Sequence, residues 1–339
     1  MLCMHSKFFF HLLFYISVRI MPLIKSQYSP PVIFRNYHIS TVYSAVIRRA
    51  PVDQQRERME LKDEDFLDLD WSYSPTKSNN VLVVIHGLEG SAQRPYVTGL
   101  ARYFTLNGWD VAAVNLRGCS GELNRRYRSY HAGATDDLQE VVEHILKKNK
   151  YETIAFNGFS LGGNLMLKYL GEKREIPKQI KAAVMVSVPC DLHGSLKQLQ
   201  KKENFLYAKR FMKKLQNHLY QRAESFPDQL NREEIRACDS LLDIDNLYTS
   251  RAHDFEDALD YYNKNSSRHF LNNIKIPTLL INAKNDGFLS PECYPIELAE
   301  NSEFLFLETP EYGGHVGFIQ NKPITYTEER AFEFMRNHI

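Results

Sequence analysis

The chain has 339 residues, 43% of them hydrophobic and 24% charged, which is enough apolar content to bury a sizeable core. Lys and Arg total 42 against 41 for Asp and Glu, so the formal net charge of +1 gives no electrostatic reason to expect nucleic acid as a partner. Five cysteines (Cys3, Cys119, Cys190, Cys238 and Cys293) lie scattered without a C-x-x-C pair. They make a poor disulfide framework and a poor zinc site, and point to free thiols in a reducing, cytoplasmic setting.

The first predicted feature is the apolar run FFFHLLFYI at residues 8–16, between Lys7 and Arg19. It is shorter than the ~20 apolar residues needed to span a bilayer. It has the length of a signal-peptide core, yet no A-x-A-like cleavage site follows. A third reading places the start at Met21 and leaves residues 1–20 as an upstream extension. From 21 to 80 the chain is rich in Pro, Arg, Tyr and polar residues, with Pro30-Pro31 and an acidic run over 57–70. That composition suggests irregular structure wrapping a core, then a strand or two near 66–73.

From Val81 the pattern sharpens. Continuous apolar runs at 81–85, 111–114, 154–156, 182–188, 278–281 and 304–307 predict short strands buried on both faces. Between them, Leu138, Val141, Val142, Ile145 and Leu146 recur at i, i+3, i+4, i+7 and i+8, one face of a helix over 134–149. Buried strands alternating with amphipathic helices predict an α/β fold, a mostly parallel sheet covered on both sides. The alternation stops over 191–273, where Ala208, Met212, Leu215 and Leu219 have helical spacing. An insertion of that size predicts a helical cap over the carboxyl ends of the strands, where such folds place their active sites.

Gly158-Phe159-Ser160-Leu161-Gly162 matches G-x-S-x-G between a strand over 153–157 and a helix over 164–170. That setting turns a modest pentapeptide into a strong nucleophile signal, because a tight turn can hold the serine hydroxyl above the sheet. A serine needs a base to take its proton and an acid to orient that base. In chain order after Ser160 the best acid is Asp286 and the best base His315, each just past a core strand. Asp191, after the strand following the nucleophile, is the second candidate for the acid. His86 and His131 lie upstream of the serine, and His253 and His269 fall in the cap, so each ranks below His315. A tetrahedral intermediate needs two donors for its oxyanion. The backbone N–H of Leu161 supplies one and the 86–90 loop the other, best placed at Leu88.

The blocks His86-Gly87-Leu88-Glu89-Gly90, Asn115-Leu116-Arg117-Gly118-Cys119-Ser120-Gly121-Glu122 and Gly158-Phe159-Ser160-Leu161-Gly162-Gly163-Asn164 together resemble the YheT-like branch of the α/β-hydrolases. Residues 130–138 and Asp260-Tyr261-Tyr262 fit the same branch, and the likeness runs from about Met21 to the C-terminus. It implies an α/β-hydrolase fold and hydrolysis of carboxylic esters with short- or medium-chain acyl groups, or of lipid esters, without metal or organic cofactor. It also favours the start at Met21. One departure stands out: Gly287 follows Asp286 where the branch often has proline.

Some features carry two readings. The cap segment 197–222 holds Lys197, Lys201, Lys202, Lys209, Arg210, Lys213, Lys214 and Arg222 against the single acid Glu203. It is either a solvated helix face or an attraction to an acidic substrate or to an anionic lipid, as a weak contact with a membrane surface. Tyr261 and Tyr262 line an acyl pocket or simply pack. Arg117 and Glu122 either pair to support the loop around Gly118 or bind substrate. The rivals to an esterase are an amidase, thioesterase or phospholipase on the same fold, since fold does not fix substrate. A binding protein that kept the fold is a further rival, disfavoured by an intact nucleophile, acid and base.

Overall fold

The computed structural model describes residues 22–339; Cys3, the apolar run at 8–16 and Met21 lie outside the described residues. Nine strands form one sheet: β1 (Leu23–Ile24), β2 (Gln55–Glu60), β3 (Phe66–Ser72), β4 (Asn80–Ile85), β5 (Asp110–Asn115), β6 (Thr153–Phe159), β7 (Ile180–Val186), β8 (Thr278–Ile281) and β9 (Leu305–Glu308). Their order is β1-β9-β8-β7-β6-β4-β5-β3-β2. Every pairing from β1 across to β5 is parallel, while the β5–β3 and β3–β2 pairings are antiparallel, so that β3 alone runs against the rest.

Each of the six apolar runs is a strand. The alternation of side chains explains why they read as unbroken: Val81, Val83 and Ile85 enter one core, while Leu82 and Val84 enter the other. The first core is closed by the helices Thr135–Lys147 and Leu161–Gly171, the second by Pro95–Leu106 and Tyr326–His338. β7 stops at Val186, short of the expected 188, because Ser187 turns out of the sheet with φ 54°. Successive connections from β4 run to β5 on one side and to β6 on the other, so the carboxyl ends of β4 and β6 flank a topological switch point. Open α/β sheets bind ligands at such a crevice.

Between β7 and β8 the chain forms only helices and turns, led by Leu192–Leu199, Phe205–Ser225, Arg232–Ala237 and Ala258–Asn265. They carry a small core of their own, in which Leu219 and Ala223 meet Leu230, Ile235, Ile244 and Tyr248.

The polar stretch QRERME is strand β2, hidden in the sequence because it has almost no apolar face. Its register on β3 sets Arg56 opposite Asp70 and Arg58 opposite Asp68. Each guanidinium grips its carboxylate with two nitrogens, at 2.7 and 3.0 Å for Arg56 and 2.9 and 3.0 Å for Arg58. Burial is the largest influence and would raise both carboxyls, but the hydrogen bonds from the arginines, joined by those from Ser120 to Asp68 and from Asn115 and Gln93 to Asp70 and by the arginine charges, together hold them below the ordinary carboxylate range. Cross-strand ion pairs thus replace hydrophobic alternation as the reason for this strand.

The expected Arg117–Glu122 pair does not form. Glu122 is exposed and binds Arg58 at 2.7 Å. Arg117, 1% exposed, donates instead to Asp137 at 2.7 and 2.8 Å and to Asp63 and Asp65 at 2.8 Å each. Proximity in sequence suggested the wrong partner; a buried guanidinium needs buried acceptors, and these come from the β2–β3 turn and the start of the Thr135–Lys147 helix. Replacing Arg117 by Leu strands those carboxylates, so urea unfolding should show a loss of about 3–5 kcal/mol. Glu122→Gln should leave the unfolding midpoint where it is, and the reverse ranking would restore the pair expected from sequence.

Candidate active site

Ser160 follows β6 and precedes the helix Leu161–Gly171, at φ 51° and ψ −120°. Close packing enforces this strained turn. A Cβ on Gly158 would lie 2.5 Å from the Gly163 Cα, and one on Gly162 would lie 2.5 Å from the carbonyl oxygens of Ile85 and His86. The glycines of the motif are therefore contact points between backbones, and the serine between them has to point outward.

Two hydrogen bonds then make a line. His315 Nε2 is 2.9 Å from Ser160 Oγ, and His315 Nδ1 is 2.9 Å from Asp286 Oδ2. The other oxygen of Asp286 accepts from the Phe288 N–H at 3.0 Å, and its side chain is fully buried. Phe288 leans on the imidazole with ring centroids 4.4 Å apart. Asp191 is elsewhere: its Oδ2 accepts from Ser290 Oγ at 3.4 Å and faces Arg268 at 3.6 Å.

The competing histidines are otherwise employed. His86 is buried, and burial pulls it down to about 4, so it stays neutral near pH 7. A neutral ring fits its two bonds, with Nδ1 donating to the Gly87 carbonyl at 2.8 Å and Nε2 accepting from the Leu116 N–H at 3.3 Å. His131 and His253 lie against each other with ring centroids 4.4 Å apart and planes tilted by 50°, both lowered by burial, and neither bonds Ser160. His269 lies at the surface beside Arg268.

The loop after β4 abuts the serine, since a Cβ on Gly87 would come 3.0 Å from the Ser160 Cβ. In that loop the Gly87 N–H goes to the Tyr96 hydroxyl, the Glu89 N–H to the Tyr130 hydroxyl and the Gly90 N–H to the Gly87 carbonyl. Among the described residues, the N–H groups of Leu88 and Leu161 have no acceptor in the protein. Two unoccupied donors beside a serine hydroxyl is the arrangement an oxyanion requires.

The segment 37–47 holds the histidine loop, and nothing in its sequence announced this. Thr41 Oγ1 accepts from the His315 N–H at 2.9 Å, Ser40 Oγ donates to the Gly313 carbonyl at 3.1 Å, and Ser44 Oγ donates to the Val316 carbonyl at 2.7 Å. From the sheet side, Ser187 Oγ accepts from the Val316 N–H at 2.9 Å. Tyr37 also explains the departure at Gly287, where a Cβ would lie 2.7 Å from the tyrosine ring.

Ser160, His315, Leu88 and Leu161 open onto a cavity of about 280 Å³. Cap residues Leu196, Phe211, Leu215 and Leu219 contribute apolar wall. Tyr261 and Tyr262 border it too, but as anchored groups: the Tyr261 hydroxyl accepts from the Ala132 N–H at 3.0 Å, and the Tyr262 hydroxyl donates to Asp245. Among the described residues, no group of three or more His, Cys, Asp or Glu side chains converges as a metal-ligand set, and no helix is long and apolar enough to cross a membrane.

The sheet, the strained serine turn and the line of side chains define a member of the α/β-hydrolases. A family model described as alpha/beta hydrolase fold matches residues 80–322, and the chain belongs to that family. It is 34% identical over 317 residues to the Escherichia coli (strain K12) protein named "Putative esterase YheT", covering 90% of this chain and 92% of that one. It is also 26% identical over 302 residues to "Phospholipase ABHD3" of Homo sapiens, covering 86% of this chain and 74% of that protein. The Pyrococcus furiosus esterase Pf2001 shares the fold, with a TM-score of 0.55 at 19% identity over 91% of this chain and 99% of its own.

The serine–threonine clamp on the histidine loop has a measurable consequence. Thr41→Val removes the acceptor for the His315 N–H, a hydrogen bond of about 1 kcal/mol, which corresponds to about fivefold in rate. The rate at which a fluorophosphonate reacts with Ser160 should fall by about that factor, alongside a loss of about 1–3 kcal/mol in unfolding free energy. An unchanged rate would show that the loop holds its shape without Thr41.

Proposed function

We propose that the protein is a serine carboxylesterase acting on short- to medium-chain acyl esters or lipid esters through an acyl-enzyme. The observation that carries this reading is the unbroken line from Asp286 through His315 to the Ser160 hydroxyl, with both bonds at 2.9 Å, ending at an apolar cavity. The esterase and phospholipase names of the two relatives support the substrate class.

In the first half-reaction Ser160 Oγ attacks the ester carbonyl carbon while His315 Nε2 takes the hydroxyl proton. The charge that moves onto the carbonyl oxygen is received by the N–H groups of Leu88 and Leu161, each of order 3 kcal/mol of transition-state stabilisation. Asp286 keeps Nδ1 protonated, so that Nε2 is the basic nitrogen, and stabilises the imidazolium once formed. Collapse of the intermediate breaks the bond to the leaving alcohol, which receives the proton held on His315 Nε2. A water then gives its proton to the same nitrogen and attacks the acyl carbon. The carboxylic acid leaves, and the proton returns to Ser160.

A fluorophosphonate should label the wild-type protein on Ser160, and folded Ser160→Ala should take up none. Asp286→Asn should lower kcat on a butyryl ester by about 10⁴, as expected when the imidazole is left in the wrong tautomer. Asp191→Asn should leave it close to wild type. Labelling of another serine in the Ala variant moves the nucleophile, and a large loss only in Asp191→Asn moves the acid.

A further inference from the structure

A second surface meets the mouth of the cavity from outside. The segment 32–47 is a turn (Val32–Arg35), a helix (Tyr37–Val42) and a wide helical turn (Tyr43–Ile47). It presents Val32, Ile33, Ile39, Val42, Val46 and Ile47 to solvent, from 39% exposed at Val42 to 76% at Val32. Beside it the cap helix Phe205–Ser225 begins with Phe205 and Leu206, 59% and 76% exposed. The two pieces are fastened together, with His38 Nδ1 3.1 Å from the Tyr207 hydroxyl and the Tyr37 hydroxyl donating to Asn204 Oδ1 at 3.3 Å. Val42, Val46 and Phe211 also line the cavity that holds Ser160, so this apolar ridge borders its entrance.

The flank of the ridge is basic. Lys201, Lys202, Lys209, Arg210 and Lys213 are exposed around the first turns of the cap helix, with Glu203 as the acid among them. Among the described residues, none of these five cations forms an ion pair. Lys209 lies over the Phe205 ring, 5.8 Å from its centroid, so charge and apolar surface are interleaved. Exposed apolar residues scattered singly need no explanation, but a cluster from two adjoining elements does. A cluster edged by unpaired lysines has the chemistry of the headgroup boundary of an anionic bilayer, which takes apolar side chains below and ammonium groups at its phosphates. An acidic protein would satisfy the lysines alone. The lipid surface satisfies both halves and explains why the ester cavity opens beside them.

We propose that this ridge seats the protein on an anionic lipid surface, with the cavity mouth facing the bilayer. Seating needs no catalysis, so its test is independent of the esterase reading and is made with the full chain carrying Ser160→Ala. The measurement is co-sedimentation with phosphatidylcholine vesicles, with and without phosphatidylserine, across a salt series. The structure predicts binding that requires phosphatidylserine and weakens with salt. Lys202→Glu with Lys209→Glu and Lys213→Glu should weaken it at least about tenfold, as should Ile33→Glu with Leu206→Glu. The same variants should keep the circular dichroism spectrum and thermal midpoint of the parent chain, which shows that they fold. Vesicle binding that neither set alters, or no vesicle binding at all, overturns the proposal. So does a concentration-dependent dimer abolished by Leu206→Glu, which would assign the ridge to a second copy of the chain.

Discussion

The site depends on one close approach of backbones, the contact of Gly158 with Gly163 and of Gly162 with the end of β4. No residue with a Cβ fits at those points, so β6 can pass into its helix only through a turn that leaves Ser160 at φ 51°. The strain has a use. It lifts the hydroxyl off the sheet, aims the Leu161 N–H from the head of the helix, and sets both beside the loop that follows β4. Because β4 and β6 are neighbours at the switch point of the sheet, the loop that carries Gly87 and Leu88 packs against the serine turn from the other side.

The histidine reaches this point by a different device. Its loop is irregular, with Val316 and Phe318 at positive φ, and has few hydrogen bonds of its own to fix it. Side chains of segment 37–47 supply them, together with Ser187 from the end of β7. Segment 37–47 is fixed in turn by Arg48, whose guanidinium binds Glu328 at 2.6 and 2.9 Å in a buried pair on the last helix. The rigid sheet therefore fixes Ser160, while segment 37–47 and the last helix cooperate to fix His315.

This division explains what was legible in the sequence. The parallel strands were, because strands buried on both faces are apolar runs, and so was the serine turn, because its glycines are a steric necessity at fixed spacing. Asp286 and His315 were legible from their order and their position after strands. Strand β2 was not, since Arg56 and Arg58 make it polar and their partners lie on another strand. The roles of Thr41, Ser40 and Ser44 were not either: small hydroxyl residues that bond to backbone some 270 positions away leave no local pattern. Arg117 and Glu122 failed for the same reason, as adjacency in the chain says little about which carboxylates share a buried site with a guanidinium.

In the proposed reaction Ser160 carries the acyl group between the two half-reactions. Acid quenching during turnover of a butyryl ester, followed by peptide mass spectrometry, tests it directly. A butyryl adduct is expected on the peptide containing Ser160, confined to that residue and absent from folded Ser160→Ala, which should also have lost turnover. An adduct on any other residue, or turnover that survives in the alanine variant, would contradict it.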